Sequence, residues 1–433
     1  MNFSLKWLGL LAAGTASLLG APAPISEAEA LAPPTPQRVT AILAAARQAG
    51  WAAQAVPLRT AAETAYKRGK LPAAEAWFQV FRWAQVLGQS EHVFVQQWIA
   101  ALSAAHLGHA NMGRNITARA QPISSVLTYE VQSWLVSNLA FSTEFFGLLT
   151  PVDHLPRVFE ILNELYRRDP AKFKEYPSLA LAIALVYDVP PPPNWPHPQV
   201  SAHALPRAFG DPIEAFAWWV DQDKKGRLYH KISRLGADEL KFVVDTVAPF
   251  SELAWAQQIS NYPLSHLASA YTMVRYRQDR MKRENALWTE TSYKLVDILG
   301  KGGICVDQAY FAAQVGKARG VPTLIFLGRG NDARHAWFGY LDGKRKWKLD
   351  AGRFAEQRFV TGFARDPQTW REFSDHELKF LSERFHDKPS FRQSVVHTNF
   401  AAIFLDQRDA PSAAVAARRA VTLEKRNRAG WET

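Results

Sequence analysis

The run Arg334-His335-Ala336-Trp337-Phe338-Gly339-Tyr340-Leu341-Asp342-Gly343-Lys344-Arg345-Lys346-Trp347-Lys348-Leu349-Asp350 sets two aromatic-rich, strand-like segments on either side of an Asp-Gly dipeptide. That pattern is a strong hairpin signal. With Asp342 and Gly343 as the two loop residues, Leu341 faces Lys344, and further out His335 faces Asp350. Directly opposed side chains of an antiparallel pair have Cβ atoms roughly 4.5 to 5.5 Å apart, so a carboxylate there can accept from an imidazole N–H. The same register puts Ala336, Phe338, Trp347 and Leu349 on one face, expected to pack on a core. His335, Trp337, Lys346, Lys348 and Asp350 share the other. A loop one residue longer breaks the His335–Asp350 pairing.

Upstream, Gly302-Gly303-Ile304-Cys305-Val306-Asp307-Gln308-Ala309 carries the chain's single cysteine at what reads as the start of a helix. A lone thiol forms no intramolecular disulfide, so packing or chemistry must account for it. A nucleophilic cysteine, a histidine base and a carboxylate that orients the base are the parts needed for thiol acyl transfer. An ordinary thiol is only about 3% thiolate at pH 7, and a fall of two pKa units makes it roughly three quarters thiolate. A helix N-terminus and a neighbouring His335 imidazolium both act in that direction, while Asp350 fixes the ring tautomer. The plain alternative is an inert buried cysteine and a structural His–Asp hydrogen bond.

Four blocks occur in order: Gly303-Ile304-Cys305-Val306-Asp307, Lys317-Ala318-Arg319-Gly320-Val321-Pro322, His335-Ala336-Trp337 and Trp347-Lys348-Leu349-Asp350. This series resembles the transglutaminase-like superfamily of papain-like thiol enzymes, over residues 251–375 at most. The resemblance implies an α+β papain-like core with Cys305, His335 and Asp350 as catalytic triad; no cofactor or metal is expected. Two positions depart from the family pattern. Ala351 replaces the usual proline, and Thr323-Leu324 stands where Ala-Arg is frequent.

Around this core, residues 1–30 read as a secretory signal peptide: Lys6, then an apolar run from Trp7 to Gly20, then small residues at Ala21-Pro22-Ala23 and Ala28-Glu29-Ala30. The run is short for a bilayer span, so a periplasmic or secreted protein with no transmembrane span in the mature chain is expected. Residues 31–188 show helical periodicity throughout. Tyr66, Gly69, Ala74 and Phe78 resemble a tetratricopeptide unit, as do Ala413, Ala417 and Ala420 after the turn at Asp409-Ala410-Pro411 within a helical 376–433 segment. Pro190 to Pro198 suggests a boundary, opening a 189–250 segment. Within it Ala215–Val220 and Arg227–Ile232 are read as a second hairpin, and Gly236–Val247 as a helix.

A net charge of +11 implies attraction to anionic surfaces, but export argues against nucleic acid. The densest basic run, Arg275 to Arg283, reads as a solvated helix face. His106 and His109 lack a third ligand at metal spacing, and neither a phosphate-cradling loop nor a calcium loop is present. The expected activity is acyl transfer on the peptide or carboxamide bonds of a protein or peptide substrate, with hydrolysis favoured over amine transfer. The competing expectation is a non-catalytic scaffold whose helical repeats bind a protein partner.

Overall fold

The computed structural model describes residues 24–105, 118–205, 207–282, 286–329, 334–353 and 360–433, and its class is α+β. Two compact units divide it. The first takes chain from both ends, through residue 156 and again from 383; the second holds residues 157–382. The Pro-rich stretch thus lies inside the second unit, with Trp195 and His197 buried, instead of separating two domains at residue 188. Among the described residues no helix is long and apolar enough to cross a membrane.

In the first unit, helices Ala55–Lys67 and Leu71–Gly88 form an antiparallel hairpin across Arg68-Gly69-Lys70. Gly69 has φ +70°, the left-handed conformation that suits glycine in so tight a turn. Ala74 is sealed against the partner helix, and Tyr66 and Phe78 point inward. A second hairpin, Pro389–Asp406 with Ala410–Leu423, packs on the first: the Phe400 ring stacks on Tyr66 at 4.2 Å and lies 5.6 Å from Phe78. Residues 27–30, assigned above to a leader, form a short helix that belongs to this unit. Ala30 is buried, and Glu29 pairs with Arg38, which corrects the exclusion of this stretch from the fold. The apolar run to Gly20 and the pair His106/His109 lie outside the described residues.

The second unit is built on a five-stranded antiparallel sheet of order β3-β2-β1-β4-β5. Its strands are β1 (Thr323–Arg329), β2 (Arg334–Leu341), β3 (Trp347–Ala351), β4 (Thr361–Arg365) and β5 (Glu372–Ser374). Helix Cys305–Ala318 covers β1 and β2. Trp337, Phe326, Leu324 and Ala364 pack with Phe242 and Leu378, with Trp347, Leu349 and Phe373 at the edge of this core. Both faces of β2 are therefore buried, and Trp337 belongs to a core instead of a polar face.

The hairpin register differs from the expected one for a local reason. The Asp342 carboxylate accepts the N–H groups of Lys344 and Lys346, both at 2.9 Å, and the Asp342 carbonyl accepts Arg345 N–H. Arg345 turns left-handed at φ 55°. That is a three-residue loop, a type I turn followed by a left-handed residue, where two residues were expected. Leu341 consequently pairs with Trp347 and Tyr340 with Lys348. The odd shift moves Trp347 and Leu349 onto the Trp337 face. A bulge follows, since Phe338 pairs with Ala351, so Leu349 and Asp350 together oppose Gly339.

Of the second hairpin expected above, Arg227–Ile232 forms no strand, and Ala215–Val220 lies inside a helix, Pro212–Lys224. Its start was written in the chain: Asp211 accepts the N–H groups of Ile213 and Glu214 as N-cap, and Pro212 occupies the first turn. The helix expected over 236–247 is present as Ala237–Val244.

Candidate active site

The two glycines before Cys305 are set by close approach. Gly302 has φ +76°, and a Cβ there would lie 2.5 Å from the Arg275 carbonyl oxygen. At Gly303 a Cβ would lie 2.4 Å from Cβ of Asp307. This closeness lets Asp307 fold back over the helix start, where its Oδ2 accepts Ile304 N–H at 2.8 Å. Asp307 is 0% exposed, yet its charge is compensated: Arg280 donates at 2.5 Å and Tyr293 hydroxyl at 2.6 Å. The single Tyr293 proton is spent on Asp307, so the 2.9 Å contact with His197 requires His197 Nε2–H to be the donor. Burial, reinforced by the Arg207 and Arg280 charges, pushes His197 down to about 3 and keeps it neutral.

The segment before this helix is pinned alongside it. Gly303 N–H donates to Arg275 O at 2.9 Å, Arg277 N–H to Gly303 O at 2.8 Å, and Gln308 Nε2 to Val274 O at 2.8 Å. Arg275–Arg277 is thus extended backbone, and Arg280, stacked over Trp288 while paired to Asp307, is structural. The expected solvated helix face is thus met only in part: Gln278–Lys282 is a helix with Gln278 and Asp279 exposed, whereas Arg275–Arg277 is extended and Arg280 is turned inward.

Cys305 sits at the first position of its helix with its sulfur facing the main-chain N–H groups of Ala336, Val306 and Cys305 itself. The nucleophile candidate therefore meets β2 one residue along from His335. The His335 ring is buried, and its Nε2 lies 2.8 Å from the Gly352 carbonyl oxygen. A carbonyl can only accept, so Nε2 carries the proton and Nδ1 is the basic nitrogen of the neutral ring. Tyr271 closes the cluster: its hydroxyl donates to Ala336 O at 2.8 Å, and its ring lies 6.4 Å from that of His335. Gly352, at φ +91°, packs on Tyr271 so closely that a Cβ would come within 2.6 Å of the ring.

Asp350 is not brought to His335. Its side chain is 75% exposed and pairs with Arg353 at 3.1 Å, as the bulge dictates. The Gly352 carbonyl holds the orienting position that was expected of this carboxylate. Arg353 also binds the buried Asp375 at 3.2 Å and lies over the Trp337 ring at 4.9 Å, bringing a positive charge near His335.

Burial decides the electrostatics. It pushes the Cys305 thiol up; the three N–H groups pull it down, the Asp307 carboxylate adds to the rise, and the net shift is upward. It also pushes His335 down, against the Gly352 hydrogen bond, and Arg353 adds to the fall. Both shifts favour the thiol and the neutral imidazole near pH 7, where a thiolate–imidazolium pair was expected. Alkylation of Cys305 by iodoacetamide is accordingly expected to have its midpoint at higher pH in the native protein than in the urea-unfolded chain. A native midpoint below the unfolded one would show that the helix start and His335 outweigh burial.

Sequence reasoning did not find Tyr271, Gly352, Arg280 or Tyr293. Each acts through a main-chain or second-layer contact with no residue spacing to mark it. Among the described residues no cluster of three metal-ligating side chains is present. No family model, curated protein or solved structure matches the chain.

Proposed function

We propose that this protein is an exported, transglutaminase-like thiol acyltransferase that hydrolyses peptide or carboxamide bonds through Cys305 and His335. What carries the reading is the nearness of the Cys305 sulfur to the Ala336 N–H, the residue next to a histidine whose proton-bearing Nε2 is fixed on Gly352. The order of the four sequence blocks supports it as well.

The proposed chemistry follows from these protonation states. The Cys305 sulfur attacks the carbonyl carbon while its proton passes to His335 Nδ1. The oxyanion turns to the N–H groups at the helix start, with Cys305 N–H the first donor. The imidazolium, stabilised by the Gly352 carbonyl, protonates the leaving amine and a thioester remains. Water then gives its proton to Nδ1, attacks the thioester, and releases the acid with the thiol restored.

p-Nitrophenyl acetate tests this without knowledge of the natural substrate. One equivalent of p-nitrophenolate should appear in a burst, with an acetyl group on Cys305, and Cys305→Ala should abolish it. A burst of undiminished size in Cys305→Ala would place acylation elsewhere and favour a scaffold. Asp350→Ala should change the acylation rate by no more than about fivefold, the range of an exposed ion pair worth up to about 1 kcal/mol. A hundredfold loss would return Asp350 to the triad.

A further inference from the structure

His335 owes its tautomer to a main-chain carbonyl, and that carbonyl needs a support of its own. Gly352 is the third residue of a turn in which Asp350 O accepts Arg353 N–H at 3.0 Å, and its φ of +91° is what a type II turn asks of glycine there. The turn leaves β3 past the pair Phe338–Ala351, so no strand pairing fixes its carbonyl. Tyr271, 2% exposed, packs against it. A Cβ on Gly352 would meet three atoms of the Tyr271 ring at 2.6 to 2.7 Å, so the ring lies directly on the glycine. The Tyr271 hydroxyl donates at 2.8 Å to the carbonyl of Ala336, the residue after His335. One side chain thus touches both the acceptor of the histidine proton and the histidine's neighbour in β2. The same residue is tied to the nucleophile: its short helix, Ala270–Met273, packs on the Cys305 helix, and Gln308 of that helix donates to Val274 O at 2.8 Å.

We infer that Tyr271 is a positioning residue for His335: its ring backs the Gly352 carbonyl that holds Nε2–H, its hydroxyl fixes Ala336, and its helix sets both relative to Cys305. For its effect on rate the inference rests on the thiol reading above, to which it adds a residue that acts through the histidine. The imidazolium formed during acylation is the species that gains most, because a hydrogen bond to a charged donor is worth more than one to a neutral donor.

The test joins the p-nitrophenyl acetate burst rate to the His335 Nε2–H proton resonance of the isotope-labelled, full-length protein. Tyr271→Phe, which keeps the ring, should retain the resonance and slow the burst at neutral pH by roughly three- to tenfold, the effect of one neutral hydrogen bond. Tyr271→Leu, which loses the ring as well, should lose the resonance to exchange with water and slow the burst by roughly tenfold to a hundredfold, the effect of a hydrogen bond to a charged group. Both deficits should shrink as pH rises through the ionisation of the thiol, where the sulfur needs no base. A deficit equal at every pH would mark a merely structural role and overturn the assignment, as would Tyr271→Leu with its resonance kept and its rate unchanged. If Tyr271→Leu does not fold, Tyr271→Phe decides, and a wild-type rate there overturns it. A wild-type Cys305 left unacylated would remove the thiol reading, while the resonance in the variants would still show whether Tyr271 holds the histidine.

Discussion

Replacing His335 by alanine is expected to slow acylation of Cys305 by p-nitrophenyl acetate by about a hundredfold to ten-thousandfold, the contribution of a positioned general base. The size follows from the burial of the thiol. Its pKa is raised, so little thiolate exists near neutral pH, and attack needs a base that takes the proton as the bond forms. His335 suits that task because burial lowers its own pKa and keeps Nδ1 unprotonated at neutral and mildly acidic pH. The wild-type rate should therefore rise as the imidazole loses its proton, with a midpoint below the ordinary histidine value of about 6.5. In His335→Ala that limb should vanish, and added imidazole should recover part of the rate. Stopped-flow release of p-nitrophenolate reads all three, and a loss under tenfold would mean that the proton goes elsewhere.

Lys317→Met should destabilise the protein by about 3 to 5 kcal/mol, the cost of stranding one member of a buried ion pair. The Lys317 ammonium is buried and fully engaged, donating to Phe242 O at 2.6 Å, to Thr323 O at 2.9 Å and to the Asp245 carboxylate. It ties the Cys305 helix to β1 and to the chain just after helix Ala237–Val244. Burial pushes Asp245 up and Lys317 down, each opposed by the partner's charge. Without the ammonium, Asp245 must take up a proton or draw in water, and two carbonyl oxygens lose their donor. Adding Asp245→Leu should recover much of the loss, because a neutral pair of similar volume carries no desolvation cost. Urea denaturation of the single and double variants measures both steps, and a cost below about 1 kcal/mol for Lys317→Met would show that water already reaches the pair.

Much of the fold was legible in single positions. Cys305 opens its helix where Gly302-Gly303 suggested, the Ala237–Val244 helix lies within its expected range, and Arg334–Ala351 is a hairpin. The hairpin register was not legible, because Asp-Gly fits a two-residue loop and a three-residue loop alike. What decides is the Asp342 carboxylate, bonded to two N–H groups further along the loop. The error then propagates: an odd shift turned Trp337 from the polar face to the core and left Asp350 in solvent. Helix Pro212–Lys224 was hidden by aromatic residues that read as strand, although Asp211-Pro212 marked its start. The long-range partners of the site, Tyr271 and Gly352, meet only through folding.

The first unit draws its aromatic core from both ends of the chain, with Tyr66 and Phe78 meeting Phe400 across more than three hundred intervening positions. During synthesis the early hairpin must wait, its rings facing water, while the whole second unit is made and has time to fold. The closing hairpin arrives late and works as a latch. Chains interrupted in between would carry a finished second unit and an unsealed aromatic slot in the first, a form that chaperones and proteases can tell apart from the full-length chain.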